Sequence, residues 1–141
     1  MSTQAPALLP PGVSASDFDE ALDRLASACG TGAVLTAEED LADFRDPFQF
    51  AGWAEYAASA VVMPETVEQI QEIVRIANRY RIPLWTHGQG KNNGYGGPAP
   101  RVDGSVIVSL RNMNKVLEID PECAYAVVEP GVRWFDLYEA I

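Results

Sequence analysis

Five glycines, Gly88, Gly90, Gly94, Gly96 and Gly97, fall within ten residues directly after the strand-like run from Ile82 to Thr86. A loop of this kind exposes its backbone. Without Cβ atoms the main chain can take positive φ and aim several consecutive N–H groups at one point, the concave nest that holds a phosphate or pyrophosphate. The charge pattern agrees. Between Ile73 and Val102 there is no Asp or Glu, while Arg75, Arg79, Arg81, Lys91 and Arg101 all fall there, in a chain whose formal net charge is −10. An acidic chain that keeps acid out of one segment is arranged to receive an anion at that segment.

Two familiar phosphate loops are excluded by context. A Rossmann turn needs G-x-G-x-x-G running straight into a helix, but here Gly94 comes one residue late and Pro98 and Pro100 stop a helix from starting. No Gly-Lys-Ser/Thr ending marks a P-loop. A glycine-rich connection that merely turns the chain stays open on glycine count alone. The acid-free flanks and the length of the loop favour a cradle for a dinucleotide, because loops of a dozen residues with no structure of their own tend to be functional.

The rest of the composition sets bounds. With 141 residues, 48% of them hydrophobic, the chain can form one ordinary domain with a core. Twenty acidic against ten basic residues argue against a general nucleic-acid binder or an anionic-membrane binder. No apolar run approaches a membrane span, and Met1 to Gly12 lacks the basic and apolar regions of a signal peptide, so the cytoplasm is the expected compartment. Cys29 and Cys123 sit in no metal-ligand or C-x-x-C spacing, which predicts free, partly buried thiols and no metal site. The final run Arg133 to Ile141 reads as a helix whose apolar stripe stops in mid-pattern, the expectation for the front of a longer protein.

Periodicity predicts an α/β, or α+β, chain. Residues 1–13 form a Pro- and Ala-rich arm, and a helix follows, opened by Ser16 with Asp19 as a capping-box variant and closed by Gly30 and Gly32. Phe18, Leu22, Leu25 and Ala26 share its apolar face. Glu38 to Tyr56 has no clean period and is expected to be loop with short helical turns. From Ala57 the signals become regular. A buried strand at Ala60–Met63 leads to a helix capped by Thr66 and Gln69, with Val67, Ile70, Ile73, Val74 and Ala77 as its stripe, and then to the strand before the glycine loop. These three make a βαβ unit with a parallel strand pair. Val106–Val108, Val116–Ile119 and Ala124–Val128 are three further strands of a mixed sheet, the last two joined as a hairpin at Pro121 and Glu122. The predicted division is residues 1–56 as N-terminal arm and helix, and 57–141 as the domain that carries the loop.

Several segments in register from Ala57 to Ile141 resemble one flavoenzyme family. They are Pro83-Leu84-Trp85-Thr86, Gly90-Lys91-Asn92 with Gly94-Tyr95-Gly96, Ala99-Pro100, Gly104-Ser105-Val106, Met113-Asn114-Lys115-Val116 and Tyr125 to Val132. The chain is similar to the N-terminal, PCMH-type FAD-binding domain of the vanillyl-alcohol oxidase and 4-cresol dehydrogenase group, and would be its first subdomain, incomplete at the C-terminus. The resemblance implies FAD as cofactor, its pyrophosphate wrapped by main-chain amides of the loop. Carried over by position, Gly88, Gln89, Gly90, Lys91, Asn92, Asn93 and Gly96 are the flavin contacts, and Pro130, Gly131 and Val132 line the cofactor pocket. It further implies oxidation of para-substituted phenols by hydride transfer to the flavin, oxygen or a cytochrome partner as the next electron acceptor, and a complete protein able to form homo-oligomers. FAD domains of this type also serve 2-hydroxy acids and sugar lactones, and an inactive flavin-domain fragment is a further alternative.

Two departures from the family qualify the carry-over. Lys91 stands where Arg is common, so a point charge replaces a bidentate fork. Related flavoenzymes that attach FAD from this loop have His at that same place, so Lys91 implies no flavin bond there. His87, the only histidine, lies off the pattern and reads either as a polar residue hydrogen-bonding the strand end or as a group that tunes the flavin. Tyr95 matches the tyrosine with which the family holds its phenolate substrate, the alternative being a ring packed over glycines at the loop rim.

Overall fold

The computed structural model describes residues 8–45, 56–91 and 97–141. Four strands, β1 (Val34–Leu35), β2 (Ala60–Val62), β3 (Leu84–His87) and β4 (Val106–Ser109), form one sheet in the order β1-β2-β4-β3. β2 and β3 both run parallel to β4, and β1 closes the far edge antiparallel to β2. Every residue of β2 and β4 is buried, as expected for apolar strands covered on both faces. A separate two-stranded hairpin, β5 (Val116–Asp120) and β6 (Tyr125–Val128), follows in the chain, with a register irregularity between Val116 and Glu118.

The alternation of side chains divides the sheet into two faces. Ala60, Val62, Leu84, Val106 and Val108 point toward α1 (Ala15–Cys29) and α3 (Val67–Tyr80), where Phe18, Ala21, Leu25, Ile73, Ile76 and Ala77 complete the larger core. The opposite face, with Val61, Ile107 and Trp85, is covered more thinly by Leu35, Leu41 and Phe44, the last two from α2 (Glu38–Leu41) and the 3-10 turn Ala42–Phe44. On each strand, one-residue steps decide which core a side chain joins.

Caps fix the helix boundaries. Ser14, not Ser16, caps α1: its Oγ accepts from the Asp17 amide and donates to the Asp17 carboxylate. Both serines stand three residues before an Asp, and the helix takes the earlier start because Phe18 must then lie one turn in, on the buried face. Gly30 ends α1 with φ of +96°. Thr66 caps α3 through the Gln69 amide, while Gln69 Oε1 accepts from Glu65. The α3 stripe is narrower than its pattern suggests, because Val67 and Val74 are exposed and Ile76 takes their place against the core.

Two topological expectations are corrected. Among the described residues β5 and β6 pair only with each other and do not join the mixed sheet. β2 and β3 are parallel but do not pair; β4 lies between them, Ala60 and Leu84 both opposite Val106. Local pattern marks a βαβ unit but cannot show whether a later strand inserts; Val106, Ile107 and Val108 are all apolar, so β4 tolerates burial between two neighbouring strands. β3 begins at Leu84 rather than Ile82, and the two-residue β1 escapes any periodicity test. Cys29 is a half-buried free thiol, its pKa raised by burial, and Cys123 is a free thiol exposed at the hairpin turn rather than partly buried. Among the described residues no helix is long and apolar enough to cross a membrane.

Candidate functional site

The edge strand β3 and its parallel neighbour β4 end side by side, His87 of β3 opposite Ser109 of β4. Both lie on the thinly covered face with Trp85 and Ile107. In open α/β sheets ligands bind in the crevice outside such carboxyl ends. The glycine loop starts there. His87 Nδ1 lies 3.1 Å from the Gly88 carbonyl oxygen, which can only accept, so Nδ1 carries the proton and Nε2 keeps a bare lone pair. At the far end Trp85 Nε1 donates to Gly97 O at 3.2 Å, so both described ends of the loop are tied to β3.

Glycine is required at three of these positions. A Cβ on Gly88 would enter the Pro130 carbonyl oxygen. Gly90 has φ of +67°, and its Cβ would press on Pro98 Cβ at 3.1 Å and on His87 Cε1 and Nδ1 at 3.2 Å. Gly131 is boxed in by main-chain carbonyls, its Cβ falling 2.7 Å from Met113 O and 2.8 Å from Arg111 O, and closer still to Leu110 O. The loop after β6 therefore lies against both the glycine loop and the 3-10 turn Leu110–Asn112 that follows β4. Gln89 joins the three: its Nε2 donates to Gly131 O at 2.5 Å and to Arg111 O at 3.4 Å. Gly131 N donates to Met113 O at 2.8 Å.

The predicted residues thus fall into groups. Gly88 meets Pro130 and Gln89 meets Gly131, while Gly90 lies against Pro98 and His87; Val132 is one residue beyond Gly131, its amide turned back to Glu129 O. Lys91 is exposed beside them. Gln89 spends its side-chain amide on protein carbonyls, so what it can offer a ligand is its backbone. The amides of Gln89, Gly90 and Lys91 donate to no acceptor among the described residues, as a cradle that keeps its donors for an anion requires. Tyr95, Asn92, Asn93 and Gly96 lie outside the described residues.

Beneath Gly90 the His87 imidazole packs near Phe44, ring centroids 6.0 Å apart, and the Arg111 guanidinium carbon stands 4.4 Å from the Phe44 centroid. Arg111 Nε donates to Ser109 Oγ at 3.1 Å. His87 Nε2 is buried without a hydrogen-bond partner among the described residues. Burial pushes the imidazole below its ordinary pKa of 6.5, the Gly88 carbonyl works against this, and nearby Arg111 reinforces it. His87 thus ends the strand as a neutral, hydrogen-bonded support. Phe44, Ser109 and Arg111 are absent from any glycine-loop pattern. A legible signal was the second acid-free run, Gly104 to Leu117, which holds Arg111 and Lys115.

Comparison with known proteins gives a consistent result. The family described as FAD binding domain matches residues 58–141. The 4-cresol dehydrogenase [hydroxylating] flavoprotein subunit of Pseudomonas putida is 41% identical over 141 residues, all of this chain and 27% of that protein. Among solved structures, p-cresol methylhydroxylase with substrate bound superposes with a TM-score of 0.92 at 41% identity, covering 96% of this chain and 26% of the other. The 4-ethylphenol oxidase of Gulosibacter chungangensis, in an isoeugenol complex, gives 0.89 at 44% identity, covering 94% and 25%. The chain therefore spans about a quarter of the length of these relatives.

The site yields two predictions. Gly131→Ala should destabilise the protein by about 3 kcal/mol, the upper end for overpacking, since the crowding atoms are backbone carbonyls. Chemical denaturation measures it, and wild-type stability would show that the two loops do not lie together. The second concerns pH. A histidine whose folded pKa is depressed leaves the folded state with fewer bound protons, so its contribution is full above 6.5 and is lost as pH falls from there through the depressed value. His87→Asn keeps a donor for Gly88 O but cannot titrate. Melting curves between pH 7.5 and 5.0 should lose stability more steeply in wild type than in this variant; parallel curves would mean His87 is not buried neutral.

Proposed function

The chain belongs to the FAD binding domain family, and on that premise we propose that it is the flavin-binding part of an oxidoreductase that takes hydride from para-substituted phenols. One observation carries the phenol reading: two solved relatives whose names specify a cresol and an ethylphenol are 41% and 44% identical over nearly all of this chain. FAD supplies the hydride acceptor when bound, and oxygen or a cytochrome partner would take the electrons next.

The residues present fit that cofactor. The amides from Gln89 to Lys91, which donate to no acceptor among the described residues, offer consecutive donors to a pyrophosphate, Gly90 lets the backbone approach closely, and His87 with the Gln89–Gly131 bond holds the cradle in place. Lys91 adds a mobile positive charge at the rim. Asn92, Asn93 and Gly96 extend the cradle in this reading, and Pro130 and Val132 line the pocket. Tyr95 acts on the substrate. Its hydroxyl donates to the phenolate oxygen, and this charge-assisted hydrogen bond stabilises the ionised ring, which is electron-rich enough to release hydride from its para substituent.

Tyr95→Phe removes that donor and keeps the ring. In the flavin-loaded full-length protein it should slow anaerobic flavin reduction by a 4-alkylphenol about ten- to a hundredfold, the effect of roughly 1.5–3 kcal/mol, with flavin content unchanged. An unchanged rate would return Tyr95 to a packing role. Reduction by glycolate but by no phenol would contradict the phenol reading and move the substrate class to 2-hydroxy acids.

A further inference from the structure

Arg111 stands directly beyond β4, at the carboxyl ends of the parallel strands, and is half-buried; the one other half-buried arginine, Arg45, is paired with Glu38. Two neighbours fix its plane: the Phe44 ring lies 4.4 Å from the guanidinium carbon, and Ser109 Oγ accepts from Nε. Phe44 is itself 3% exposed, so the stack is a rigid one. The backbone of Arg111 is equally held, its carbonyl receiving Gln89 Nε2 and facing Gly131.

Among the described residues Arg111 has no anionic partner. The four ion pairs among the described residues, Arg24–Glu20, Arg45–Glu38, Arg75–Glu72 and Arg133–Asp136, are local surface pairs, and none involves Arg111. A guanidinium taken partly out of water and oriented by stacking, with its terminal nitrogens uncommitted among the described residues, is arranged for bidentate binding of a phosphate oxygen pair. The glycine-loop amides that donate to no acceptor among the described residues begin two residues beyond His87, whose ring lies against the same Phe44. Lys91, by contrast, is an exposed, flexible point charge. We propose that Arg111 is the fixed cation of the cofactor site, binding the FAD pyrophosphate from the β4 side while the loop amides bind it from the β3 side.

This rests on the reading of the loop as the pyrophosphate cradle, and the test separates the two. Apoprotein of the full-length chain is titrated with FAD, with ADP, which carries the pyrophosphate without the flavin ring, and with riboflavin, which carries the ring without the pyrophosphate. Arg111→Gln should weaken FAD and ADP about tenfold or more and leave riboflavin within twofold, with a shallower salt dependence for ADP. Arg111→Lys, which keeps the charge and loses the fork, should fall between and serves if the Gln variant does not fold. Equal losses for ADP and riboflavin would make Arg111 a packing residue and overturn the proposal. Unchanged ADP affinity in either variant would overturn it as well. A wild type that binds riboflavin but not ADP would contradict the cradle and Arg111 together.

Discussion

Everything at the candidate site depends on where β4 pairs. Because it inserts between β2 and β3, its end meets the end of β3, and Ser109 comes to face His87. That pairing brings the turn after β4 beneath the glycine loop, and with it Arg111. The driving force is burial: Val106, Ile107 and Val108 lose nearly all their exposed surface at the sheet centre. Had β2 and β3 paired directly, the loop would begin at a sheet position with no Ser109 or Arg111 beside it.

The second constraint is close backbone approach. Three segments distant in sequence, after β3, after β4 and after β6, converge so tightly that Gly88 and Gly131 have no room for a Cβ. Gln89 hydrogen-bonds across them and in doing so removes its side chain from the set of groups that could touch a ligand. Among the described residues, backbone amides and the stacked Arg111 guanidinium remain as fixed donors. Such donors are rigid before any ligand arrives, and preorganised donors lose little entropy on binding.

Much of this was legible in the sequence, and unevenly so. The glycine spacing and acid-free flank mark the loop, and the segment Pro130-Gly131-Val132, which resemblance alone assigns to a pocket, meets Gly88 through the Pro130 carbonyl. Thr66 was read correctly as a cap because no competing cap lies nearby, whereas Ser14 and Ser16 offered equivalent patterns. Strand order was not legible, since pairing is decided between segments far apart in sequence, Ala60 and Leu84 both meeting Val106. Phe44 and Arg111 were missed for the same reason: their stack joins residues 67 positions apart and leaves no local motif. Trp134, Phe135 and Tyr138 of α4 (Trp134–Ala140) are exposed although apolar.

The central claim is that main-chain amides at the carboxyl end of β3 hold the FAD pyrophosphate. Hydrogen exchange of the individual amides, with and without FAD, tests it most directly. The account predicts that Gln89, Gly90 and Lys91 exchange freely without FAD and are protected with it, while the α1–α3 core is unchanged. Equal exchange at these three amides in both states, in a protein that has bound FAD, would contradict it.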